Sequence, residues 1–178
     1  MALADLQRAL ATLYTDEASR ERFRRDPRAF ANRFGLSDAE FGQIRAIGEA
    51  RIHAYADTLD RKRAAEAARL LPLSARLRGP EFRAAFLAHA RVTRLGTGPG
   101  RYRDDALAFA RRPPVHPLTA FEAAQLRGGA WLALVGCDLP ATLASLGDAP
   151  PRVVPGLTLV ARPPFASRAL LLRLRGPG

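Results

Sequence analysis

Cysteine, histidine and lysine are scarce in this chain, and each scarcity removes a class of chemistry. Cys137 is the single cysteine among 178 residues, so neither an internal disulfide framework nor a multi-cysteine zinc site can form. With no histidine nearby in sequence, its thiol reads as a small buried hydrophobe rather than a nucleophile. The three histidines, His53, His89 and His116, are scattered. No two stand three or four apart and there is no His-Glu-x-x-His motif, so no metal ligands and no cofactor are expected in this chain. His89 shares a helix face with Phe86 and is read as a core or interface histidine, His116 between prolines as exposed, and His53 as flanking a buried stripe. Serine is present, but none stands in a Gly-x-Ser-x-Gly setting. Adjacent Asp104 and Asp105 point to different helix faces and suit a helix N-terminus better than a shared-proton pair. No catalytic residue is assigned, and the chain is expected not to be an enzyme.

Long apolar runs are also missing. Nothing approaches the ~20 residues of a membrane span, and Met1-Ala2-Leu3-Ala4-Asp5 lacks a basic and then apolar signal region. The expectation is a cytoplasmic protein with no membrane association. What is abundant is arginine: 28 basic residues against 17 acidic give a net charge of +11, and Lys62 is the only lysine. Such a balance favours an acidic partner, whether nucleic acid, anionic lipid or an acidic peptide. The competing reading is a solvated surface shaped by a GC-rich genome, since Ala, Gly and Pro are plentiful too.

Helical periodicity dominates the first two thirds. Leu3, Leu6, Leu10 and Leu13 form a stripe, and Thr15 precedes Asp16-Glu17 as a cap for a second helix. Pro27 suits a first helical position, and Gly35 closes the short helix carrying Phe30 and Phe34. Ser37-Asp38-Ala39-Glu40 reads as a capping box. Gly48 interrupts the helices before a long one from about Glu49 to Leu71, ended by Pro72. Another helix follows Gly79-Pro80, with Phe82, Ala85, Phe86 and His89 on one face. The glycines of Leu95 to Gly100 mimic a phosphate cradle poorly, because no strand precedes them and no Lys-Ser/Thr follows.

Within the long helix, the register Ile52, Tyr55, Leu59 continues through Arg63 and Glu66 to Leu70, which turns two charges inward with Lys62 beside them. Arg63 with Glu66, and Lys62 with Glu66, stand at spacings that pair on a helix. These three residues form an ion-pair group, either structural or for docking on another protein, because an unpaired buried ion costs several kcal/mol.

The order Asp60-Arg61-Lys62-Arg63-Ala64-Ala65-Glu66, Leu71-Pro72-Leu73, Phe82, Phe86 and Asp105-Ala106-Leu107-Ala108-Phe109-Ala110 resembles the helical accessory domains that accompany multinuclear iron-dependent TIM-barrel enzymes tailoring ribosomally made peptides, the methanobactin and thiaglutamate type. Ala120-Phe121-Glu122-Ala123 is similar to a helix of some of these proteins. The resemblance implies a partner that holds the precursor peptide while the iron enzyme oxidises its cysteine, with iron only in that enzyme. Phe23 to Phe41 is more loosely similar to small helical modules of certain peptide leaders and of a small subunit of ring-opening dioxygenases; core packing explains those phenylalanines equally.

Arg111-Arg112-Pro113-Pro114-Val115-His116-Pro117 reads as an extended linker, giving a helical domain over 1–112 and a small α+β domain over 113–178. In the latter, Leu118 to Leu134 reads as one helix or a pair broken at Gly128-Gly129, and Pro140 to Leu146 as a short helix. Val153-Val154, Leu157 to Val160 and Ala169 to Leu174 read as strands, with a turn over Pro163 to Ser167. The fold class is mainly α, a helical bundle followed by a β-hairpin or small sheet. The sheet edge suits peptide binding by strand addition or pairing within the fold, and Leu157, Leu159, Leu170 and Leu172 are the peptide-contact candidates. The expected function is a non-catalytic partner that docks on the iron enzyme and helps bind its precursor; the alternative is a basic helical nucleic-acid-binding regulator, though no helix-turn-helix is recognisable.

Overall fold

The computed structural model describes residues 2–113, 116–147, 152–164 and 169–174. The expected turn at Phe165 to Ser167 and the Pro114-Val115 centre of the linker lie outside the described residues. The chain divides into two compact units, one of Met1–Ala64 with Leu87–Leu95 and one of Ala65–Phe86 with Gly96–Gly178.

In the first unit, α1 (Ala2–Thr15), α2 (Glu17–Arg25), α3 (Pro27–Arg33) and α4 (Asp38–Ile47) precede the start of α5 (Glu49–Leu70). Their apolar faces meet in a core of Ala9, Leu13, Phe23, Phe30, Ile44 and Ile52, with Leu6, Leu10 and Phe34 packed around it. Leu3 does not join the stripe; it is exposed, and Ala9 is buried instead. Asp16, not Thr15, is the residue at the α2 cap position, and it accepts a hydrogen bond from Ser19 Oγ. Asp26 caps α3 by accepting from the Ala29 N–H, with Pro27 in the first turn. The Ser37 and Glu40 capping box is complete at α4.

The second unit holds the end of α5, α6 (Pro72–Arg78), the start of α7 (Pro80–Val92), α8 (Arg101–Ala110), α9 (Pro117–Arg127), β1 (Trp131–Val135), α10 (Leu139–Ser145), β2 (Leu157–Arg162) and β3 (Leu170–Leu174). Leu118, Phe121, Val135, Cys137, Leu139 and Val160 form a core between α9 and the sheet, and the Phe109 ring meets those of Phe82 and Phe86 edge-on. The architecture is mainly α with a small three-stranded antiparallel sheet, as the sequence suggested. The strand at Trp131–Val135 departs from the expected helix: Gly128, at φ +72°, ends α9, and after Gly129 and Ala130 the five residues of the strand pair with β2. Val153 and Val154 are not in a strand; Val154 instead binds the start of α10, accepting from Asp138 N–H and donating to Thr142 Oγ1.

Candidate functional site

The sheet is ordered β1-β2-β3, so among the described residues β1 and β3 each pair on one side only. Alternation sends Ala133, Val135, Thr158 and Val160 towards the core. The register aligns Leu134, Leu159 and Leu172 across the three strands, with Leu132, Ala161 and Leu170 in the next row and Leu157 opposite Leu174. All eight residues stand on the other face. Six of them, Leu132, Leu134, Leu157, Leu170, Leu172 and Leu174, are between 36% and 70% exposed, and no charged or polar side chain interrupts them.

The neighbouring polar groups fix this sheet from its inner side. Arg173 of β3 forks onto Asp138, with Nε 2.9 Å from Oδ1 and Nη2 2.6 Å from Oδ2, while Asp138 also caps α10 by accepting from the Ala141 N–H. Burial alone would raise the Asp138 pKa, but the Ala141 N–H and the Arg173 guanidinium outweigh it and hold the carboxyl below the usual range. Thr158, fully buried on β2, donates to Cys137 O and accepts from Leu139 N–H. At Gly156 a Cβ would lie 2.9 Å from Asp138 N, so only glycine allows the chain to pass there.

The four leucines expected from sequence to contact peptide therefore share one face. Leu157 and Leu159 lie on the central strand and Leu170 and Leu172 on β3 beside the open edge. Leu132, Leu134 and Leu174 complete that face; the first two lie on β1, whose sequence reads as helix, and Leu174 ends the β3 run expected from sequence without being among the contact candidates.

The predicted charge group does not assemble as a triad. Arg63 is buried, as its register required, but its Nη1 lies 3.3 Å from Asp60 and 3.0 Å from Ala90 O, and its Nη2 donates to Thr93 O at 2.8 Å. Carbonyls at a helix C-terminus lack intrahelical partners, and a guanidinium fork suits them. Burial raises the pKa of Asp60, against the lowering effect of Arg63 and Arg20. Glu66 is only half-buried and pairs with Arg69 at 2.7 Å, and Lys62 is exposed. The inward register holds at Ile52 and Arg63 and differs at one position between them, where Ala56 is buried and Tyr55 is exposed against the Tyr14 ring.

A buried carboxylate that sequence reasoning did not single out lies in the second unit. Glu122 of α9 accepts from the Leu73 and Ser74 backbone N–H groups and from Ser74 Oγ, whose oxygen also contacts Thr119 Oγ1 at 2.9 Å. Leu71 stands at the α6 cap position with no oxygen to offer, and Glu122 does that work from 48 residues away. Burial pushes its pKa up, against the pull of the three donors.

His89 is buried, with Nδ1 3.4 Å from Thr93 Oγ1. His116 is not exposed as expected; it is half-buried, accepts from the Leu118 N–H at the head of α9, and has its pKa lowered by burial and by Arg78. Asp105 is likewise buried within α8 rather than set at its N-terminus. The Cys137 thiol is buried, which raises its pKa. Among the described residues no group of three or more His, Cys, Asp or Glu side chains is gathered to hold a metal ion, and no helix is long and apolar enough to cross a membrane.

Residues 46–113 match the family described as SCO6045-like, C-terminal domain. The matched stretch runs from the last turn of α4 through α8 and stops short of the sheet. No curated protein matches the chain.

Proposed function

We propose that the protein is a non-catalytic partner of a multinuclear iron, TIM-barrel enzyme that modifies a ribosomally made peptide. The observation that supports this reading is the β3 edge, which no other described strand pairs, bordered by exposed leucines. An extended peptide adding to that edge would satisfy its backbone through main-chain hydrogen bonds, and every second side chain would extend the row of Leu170, Leu172 and Leu174. Leu157 and Leu159 would support that row from the central strand. The helical segment around Arg63 serves as the enzyme-docking part, with Arg63 ordering it and Lys62 and Glu66 on its accessible side. The resemblance of residues 59–110 supports the choice of enzyme class. The iron belongs to the enzyme, this chain holds no cofactor, and the pair works in the cytoplasm.

The net charge of +11 favours one other reading, a nucleic-acid-binding regulator. Affinity capture of the tagged protein from its native lysate, with mass spectrometry of partners and iron analysis of the eluate, separates the two. The proposal expects an iron-loaded TIM-barrel protein and a short cysteine-containing peptide. Nuclease-sensitive nucleic acid alone, with affinity falling steeply as salt rises, would replace it with the second reading.

A further inference from the structure

The leucine face of the sheet is distinct from its edge. A peptide on the β3 edge leaves most of that face uncovered. Its six most exposed leucines leave roughly 600 Å² of aliphatic surface open, at the upper end of what a monomer normally shows. Interfaces that choose a foreign partner carry charges and hydrogen-bonding groups that reject the wrong one. This face has none, because the charged residues Arg162 and Arg173 alternate to the opposite side. Purely apolar contact surfaces are the mark of permanent association between identical subunits.

We infer that the face pairs with the same face of a second copy of this chain, the two sheets stacking about 10 Å apart around a two-fold axis. Two such faces bury at most about 1,200 Å² from these leucines alone, at the lower limit of specific stable interfaces. Aliphatic side chains without charge pack against themselves as well as against any other surface, so the copy needs no further complementarity. Stacking faces leaves the backbone of the β3 edge free, and of the leucines on this face only Leu132 and Leu134, on β1, are not peptide contacts, so substitutions on β1 test the dimer apart from the peptide reading.

The test is sedimentation equilibrium of the full-length protein, with the double variant Leu132→Glu/Leu134→Glu on β1 as the second measurement. Both positions are largely exposed in the single chain, so the variant is expected to keep its helical circular dichroism and its Trp131 fluorescence. Wild type is expected at twice the 19.3 kDa chain mass, with the variant's dissociation constant raised about a hundredfold or more by carboxylates facing one another. A wild-type monomer at micromolar concentration would overturn the inference. A variant that folds and stays dimeric would overturn it too, by moving the interface elsewhere.

Discussion

Glu122 caps a helix to which it is not adjacent in sequence, and its removal has a calculable cost. In Glu122→Ala the N–H groups of Leu73 and Ser74 lose their acceptor, while Ser74 Oγ keeps Thr119. Each buried unsatisfied donor costs about 1–3 kcal/mol, so losing both should cost about 2–6 kcal/mol, with the centre of that range near 4. For a chain of this length that is a fall of roughly 10 °C in the unfolding midpoint. Trp131 is the only tryptophan and its ring meets Phe121 of α9, so urea unfolding followed by its fluorescence reads the unit that contains the cap. Glu122→Gln keeps the volume and one acceptor but turns an NH2 towards a donor, and should cost about 1–3 kcal/mol. The two also differ with pH. Because the folded-state pKa of Glu122 is raised, the native state holds its proton where the unfolded chain has released it, so the carboxyl's contribution to stability falls as pH rises through the interval above the ordinary value of 4.5. The Gln variant should lack that slope. A Glu122→Ala loss below about 1 kcal/mol would refute the capping argument.

Arg63→Ala should destabilise the first unit by about 3 kcal/mol or more, read by circular dichroism in urea, because Asp60 and the Ala90 and Thr93 carbonyls lose a buried partner. Ser37→Ala breaks one arm of the capping box at α4 and should cost about 1 kcal/mol in the same assay. Gly156→Ala should lower the Trp131 unfolding midpoint by the equivalent of about 1–3 kcal/mol, since its Cβ would meet the Asp138 backbone.

Local rules made much of the helical part legible. Pro27, Gly35, the Ser37 box, Gly48 and Pro72 act within a turn of their own position, and each marks the boundary it was expected to mark. The failures involve partners distant in sequence. Trp-Leu-Ala-Leu-Val is a short apolar run whose periodicity does not separate helix from strand, and only β2 decides it. Arg63 faces inward as its register requires, but its carbonyl partners lie at the end of α7 and just past it, about thirty residues on, whereas local spacing offers Glu66. The cap that Glu122 supplies to α6 follows from no spacing rule. Alternation singles out Leu157, Leu159, Leu170 and Leu172, but the full extent of the face follows only once β1 joins the sheet.

The central claim is that a precursor peptide adds to β3, and hydrogen exchange of the backbone amides tests it directly. With the cysteine-containing peptide recovered from the native lysate added in excess, the account predicts slowed exchange across Leu170–Leu174, where one side of the strand is unpaired. Binding of that peptide with β3 exchange unchanged would contradict it.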